Sequence, residues 1–186
     1  MPRPLRVQVE RGVYHLVSRG VRKLPIFTDD RDRERFLALL ELTADRYRWQ
    51  IHAYCLMTNH FHLLVTTQRP TVSAGMQYLN GRYCQWFNWH HGLEGHVLEK
   101  RFFSTLVESD KHLAAVARYI VLNPVRARLC ASASEWRWSS YRAMVATVAG
   151  IPRLSRWLLG IFGREPEEAR NRFAAFVRAG EPAAVG

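Results

Sequence analysis

The sequence predicts an α+β domain built on one antiparallel sheet, and three observations predict it. Short alternating runs rich in β-branched and aromatic residues are separated by longer stretches with apolar residues at helical spacing. The pair Thr58-Asn59 joins two of those runs as a tight hairpin turn. A length of 186 residues suits one domain with a substantial core.

Each element follows in order. Val13 to Ser18 (VYHLVS) alternates as a first strand, closed by Arg19-Gly20. Thr28-Asp29-Asp30 supplies cap residues for a first helix over 30–47, in which Phe36, Leu40, Ala44 and Tyr47 recur at helical spacing. Trp49 to Met57 (WQIHAYCLM) is a second strand, and His60 to Thr67 returns beside it. Beyond Pro70, Val72, Met76, Leu79 and Tyr83 mark a second helix over 71–89, ended by Gly92 and Gly95. Arg101 to Glu108 (RFFSTLVE) reads as a fourth strand, and Ser109-Asp110 caps a third helix that runs to Leu122, before Pro124. The order β-α-β-β-α-β is ferredoxin-like and RRM-like: two helices cover one face of the sheet, and the other face is left for the additional third helix or a ligand. Two short helices, 154–162 and 165–179, make a helical C-terminal tail, so the expected division is residues 1–145 for the domain and 146–186 for the tail.

Charge narrows the function. The chain has 27 Lys and Arg against 16 Asp and Glu, a net charge of +11, which points to a polyanionic partner. Cys55, Cys84 and Cys130 form neither a CxxC pair nor a disulfide framework, which fits a reducing compartment. No apolar run approaches the ~20 residues of a membrane span, and no signal-peptide core follows the basic N-terminus, so a cytoplasmic protein with no membrane partner is expected.

The stretch Asn59-His60-Phe61-His62-Leu63-Leu64-Val65 carries the chemistry. Residues two apart on a strand share a face, so His60 and His62 look one way while Phe61, Leu63 and Val65 look toward the helices. On the third helix Leu113, Val116, Ala117, Ile120 and Val121 form the apolar stripe. Tyr119 lies about 130° from its centre, with Asn123 roughly one turn above on the same side. Docked on the histidine face, that flank would assemble two imidazoles, an amide and a phenol. A divalent cation held by such donors can polarise a phosphate oxygen, and a tyrosine can attack phosphorus and conserve the broken bond as a phosphotyrosine. Imidazole softness favours the later metals and abundance favours magnesium.

Other residues have plainer readings. His15 and His52 are expected to be hydrogen-bonded structural histidines. His90-His91 and His96 fall in a Gly-containing loop and read as solvated, with a second metal site as the alternative. Trp136 and Trp138 either stack on bases or pin the tail. Arg19, Arg22, Lys23, Arg82, Lys100, Arg101, Arg126 and Arg128 are the candidates for neutralising phosphates.

His60-Phe61-His62 resembles the histidine-hydrophobic-histidine motif of the HUH nucleases, and Tyr119 through Ala127 (YIVLNPVRA) resembles the tyrosine helix of small single-tyrosine transposases. Tyr14 to Gly20, Met57 to His60, Arg82 to Asn88, Trp136 to Tyr141 and the tail Trp157 to Gly180 extend the resemblance, over about residues 10–180, to the REP-associated tyrosine transposases. The resemblance implies a single-strand DNA endonuclease and strand transferase, a DNA transposase acting at hairpins of repetitive extragenic palindromes. Tyr119 would be its nucleophile, forming a 5′-phosphotyrosine and leaving a 3′-hydroxyl. His60, His62 and Asn123 would hold Mg2+ or Mn2+. The protein would be a nucleoid-associated monomer or homodimer. Asn123 stands where many mobile relatives carry Gln, so its shorter arm reaches the cation directly or through water. Two rivals share the fold: a non-catalytic RNA-binding module, against which the missing RNP pattern counts, and a DNA-binding regulator that has lost strand transfer.

Overall fold

Four strands, β1 (Gly12–Arg19), β2 (Trp49–Leu56), β3 (His60–Thr67) and β4 (Phe103–Val107), form one antiparallel sheet in the order β2-β3-β1-β4. They are seen in a computed structural model that describes residues 8–99, 101–146 and 154–181. This is the expected topology. The fourth strand is shorter than its sequence suggested, beginning at Phe103.

Helices α1 (Asp30–Tyr47) and α2 (Val72–His91) cover one face; α2 runs two residues past its expected end, so His90 and His91 are helical and half-buried rather than in a solvated loop, with Gly92 as the left-handed cap. Asp29 and Asp32 open α1 with a reciprocal capping box: the Asp29 side chain accepts from the Asp32 backbone N–H, and the Asp32 side chain accepts from that of Asp29. Many of the buried side chains of this face are aromatic. Phe36 meets Phe61 of β3 at 4.4 Å between ring centroids and Tyr83 of α2 at 5.2 Å. Leu16, Leu63 and Val65 complete the floor. Gly75 lets α2 approach the sheet, since a Cβ there would sit 2.1 Å from the Trp49 ring.

Helix α3 (Asp110–Val121), capped by Ser109, packs on the opposite face against β2 and β3. Leu113, Ala117, Ile120 and Val121 meet Ala53, Cys55 and Leu64, as the stripe predicts; Ala114 is buried with them and Val116 is only half-buried. Pro124 follows at once, and a separate short helix, α4 (Asn123–Arg126), begins at Asn123. Helices α5 (Tyr141–Val145), α6 (Trp157–Gly160) and α7 (Pro166–Arg178) pack outside α3. Leu158, Phe173 and Val177 share its core, and the Arg118 guanidinium lies 4.1 Å from the Phe176 ring centroid. Residues 147–153, at the expected domain boundary, lie outside the described residues.

Residues 136–140 run along the outer edge of β2. Leu56 N–H donates to the Trp138 carbonyl and Ser140 N–H to the Tyr54 carbonyl, both at 2.9 Å. The Trp136 indole donates to the Leu56 carbonyl at 3.1 Å, and Trp138 is buried in the aromatic core. The two tryptophans therefore pin this segment to the domain. No helix among the described residues is long and apolar enough to cross a membrane.

Candidate active site

The antiparallel register of β1 and β3 sets Arg19 opposite His60, Val17 opposite His62 and His15 opposite Leu64. His15, His60 and His62 share the α3 face, and His15 lies diagonal to His62, where long side chains of neighbouring strands can touch. They do: His15 Nε2 is 3.0 Å from His62 Nδ1. His60 and His62 stand edge to face, with ring centroids 5.0 Å apart.

The hydrogen bonds fix which ring nitrogens are available. Asn59 Oδ1 lies 2.7 Å from His60 Nδ1 and, as an acceptor, assigns the proton to Nδ1. His62 Nδ1 can likewise donate to His15 Nε2, and the buried His62 Nε2 finds no hydrogen-bond partner among the described residues. The Asn123 side chain hydrogen-bonds His60. Burial first, then the neighbouring His15, His60 and Arg19, pushes the His62 pKa down to about 2. Burial and then His112 push His15 down to about 4. Burial and Arg19 lower His60, against the bond from Asn123. At neutral pH all three are therefore uncharged imidazoles. An orphaned buried Nε2, a second imidazole with its Nδ1 occupied and an amide beside it fit a divalent cation that keeps open coordination positions.

Tyr119, on the last turn of α3, is 40% exposed. Its ring centroid lies 5.6 Å from that of His62 and 6.0 Å from that of His15. The Arg126 guanidinium sits 5.2 Å from the Tyr119 ring centroid. Two tyrosines of α2 lie across the sheet: Tyr83 is buried and donates to the Ile26 carbonyl, while Tyr78 packs with Tyr47.

The basic candidates divide by position. Arg19 adjoins His60 through the strand register. Arg22 and Lys23 form a single 3₁₀ turn (Val21–Lys23) tied to the hairpin by Asn59 Nδ2 donating to the Lys23 carbonyl at 3.0 Å. Arg128 is exposed just past α4, and Arg101 is exposed before β4. Arg82 is on α2, with its guanidinium 5.7 Å from the Tyr78 ring, on the opposite face from His60 and His62. Lys100 lies outside the described residues.

Sequence reasoning does not connect two neighbours to this site. His15 is hydrogen-bonded as expected, but to His62, and its alternation phase, opposite to Tyr14 and Leu16, is the signal that puts it on the histidine face. Phe103 is 68% exposed and lies opposite Val17, in the cross-strand row that contains His62.

Residues 8–123 match the family model described as Transposase IS200 like. The chain is 26% identical over 117 residues to a Haemophilus influenzae protein assigned by name to the REP-associated tyrosine transposases; the match covers 57% of this chain and 66% of that relative, just under two thirds of its length. A solved structure of a REP-associated tyrosine transposase bound to a REP hairpin has the same fold, with a TM-score of 0.66 at 18% identity over 83% of this chain and 92% of that one. The family match runs from the start of β1 through the paired histidines to Tyr119 and Asn123, and the chain belongs to the IS200-like transposase family.

Proposed function

We propose that the chain is a metal-dependent single-strand DNA endonuclease and strand transferase acting beside hairpins of repetitive extragenic palindromes. The observation that carries the reading is the part-exposed Tyr119 ring, edge to face at 5.6 Å between centroids with a buried, uncharged His62 whose Nε2 has no partner among the described residues. His60, His62 and Asn123 would hold Mg2+ or Mn2+, which when bound supplies positive charge to a scissile phosphate.

The protein's own groups do the rest. Tyr119 Oη gives up its proton and attacks phosphorus, and the P–O3′ bond breaks as the departing 3′ oxygen takes a proton. The product is a 5′-phosphotyrosine, and attack by another 3′-hydroxyl reverses the step on a new strand. Arg19 and Arg126 flank the phosphate path, and the net charge of +11 favours a polyanion. His15 is a positioning residue that holds His62 in the tautomer with Nε2 free. Phe103 offers its exposed face to a base of the single strand.

The test is incubation with hairpins flanked by single strands, in Mn2+ or Mg2+, followed by a denaturing gel. The parent chain should form a covalent protein–DNA adduct and Tyr119→Phe should not, while Tyr78→Phe keeps it. An adduct in Tyr119→Phe would assign the nucleophile elsewhere. Tight hairpin binding with no adduct from the parent chain would favour the regulator.

A further inference from the structure

A second cluster of metal-binding side chains stands on the other face of the sheet, where the first turn of α1 meets the last turn of α2. One ligand atom each from Asp32, His90 and His91 lies within 4.8 Å of the other two. His91 Nε2 is 2.8 Å from Asp32 Oδ1, and His90 Nε2 is 3.8 Å from Asp29 Oδ2. Four donors around a tetrahedral ion at roughly 2.0–2.1 Å are about 3.3 Å apart, so these separations straddle what such an ion needs.

The donors are also held in place. Asp32 is fully buried, and its Oδ2 is occupied by Thr28 N–H at 2.6 Å, the Thr28 hydroxyl at 2.7 Å and Asp29 N–H at 3.3 Å. That leaves Oδ1 facing the histidines. Burial opposes its ionisation, but the bonds from Thr28, His91 and Asp29 outweigh it and keep the carboxyl below its usual range. His90 stacks on Trp86 with ring centroids 4.7 Å apart, and His91 packs on Phe87 at 4.4 Å, so neither imidazole swings freely. Both histidine side chains keep about a fifth to a quarter of their surface exposed, at 22% and 24%, which gives an ion a way in.

We propose that Asp32, His90 and His91, with Asp29 as fourth donor, form a structural site for a borderline divalent cation of the zinc class, clamping α1 to α2. Two imidazoles with carboxylates suit zinc, nickel or cobalt better than magnesium. On binding, the His91 proton leaves Nε2 for Nδ1 or solvent, and the Nε2 lone pair replaces its bond to Oδ1. The clamp reaches the candidate active site through backbone: Ile26 and Phe27 N–H both donate to the Thr58 carbonyl, two residues before His60. The proposal stands whether or not Tyr119 is the nucleophile.

The experiment is equilibrium dialysis of the untagged full chain against micromolar Zn2+, with bound metal measured by mass spectrometry. His60→Ala/His62→Ala removes the other histidine pair. That variant should retain one zinc per chain, and adding His90→Gln/His91→Gln should abolish it, with circular dichroism confirming that both variants fold. Zinc at a hundredfold excess over Kd should raise Tm by about 5 °C in the first variant and not in the second. Absence of zinc from the folded first variant, or equal retention after the glutamine changes, would overturn the proposal and leave His91–Asp32 as a plain hydrogen bond between helices.

Discussion

The two faces of the sheet are filled in opposite ways. Under α1 and α2 large rings from helices, loop and sheet interlock: Phe27 and Tyr83 each meet Phe36 within 5.4 Å, and Phe61 of β3 completes the cluster at 4.4 Å from Phe36. Toward α3 the strands present smaller side chains, Ala53, Cys55 and Leu64 against Ala117 and Ile120. At the end of α3 that packing stops, and His15, His60, His62 and Tyr119 occupy the gap. Phe61 and His62 are chain neighbours with opposed roles. A buried imidazole nitrogen such as His62 Nε2, which has no partner among the described residues, costs on the order of 1–3 kcal/mol. One strand can carry that burden because its alternate residues anchor the fully packed aromatic face.

The strongest way to break this comparison is to truncate one side chain on each face. Phe61→Ala should destabilise by about 3–5 kcal/mol in guanidinium unfolding. Tyr119→Phe, on a half-exposed ring, should leave Tm within about 1 °C while eliminating the adduct. Similar losses of stability from both would erase the division of labour.

Acid sharpens it within the α3 face. His52 is fully buried, 2.7 Å from the Thr66 hydroxyl and edge-on to Trp157, and burial pushes its pKa down to about 4. The unfolded chain takes up this proton near pH 6.5 and the folded one only near 4, so the stability His52 contributes is complete above 6.5. It is lost as pH falls toward 4, by up to about 3 kcal/mol. Urea unfolding at pH 7 and 4.5 should show a steeper loss for the parent chain than for His52→Gln; equal losses would mean that His52 is not held neutral.

Smaller effects should separate positioning from contact. His15→Ala is expected to weaken Mn2+ binding by roughly 10- to 100-fold, and His15→Gln, whose carbonyl can accept from His62 Nδ1, should restore most of it. If Gln is as poor as Ala, the 3.0 Å contact does not orient His62. Phe103→Ala should weaken single-strand binding by about 1 kcal/mol, near fivefold, and leave duplex binding unchanged in fluorescence anisotropy.

Local signals carried most of the fold. The bounds of α1 and β3 coincide with the residues expected from the Asp29 cap and the alternation of HFHLLVTT, because both are written in contiguous residues. The pair His60 and His62 and the off-stripe Tyr119 were legible for the same reason. His15 was not: a lone histidine in VYHLVS gains meaning only when β1 pairs with β3 in the register that sets it diagonal to His62. The Asp32–His91 contact joins positions 59 residues apart and no periodicity encodes it. Trp136 and Trp138 were ambiguous because stacking on bases and sealing a strand edge call for the same residue type.

The segment 136–140 bears on where an autonomous unit ends. The family match stops at residue 123, yet the Leu56 N–H and the Tyr54 carbonyl are paired by Trp138 and Ser140, beyond it. A fragment ending at residue 135 would keep every described member of the candidate site, but the outer side of β2 would be bare and the apolar back of α3 uncovered by Leu158, Phe173 and Val177. Copies of such a fragment would find in one another the hydrogen-bond partners they had lost, and would aggregate through sheet extension rather than persist as a minimal domain.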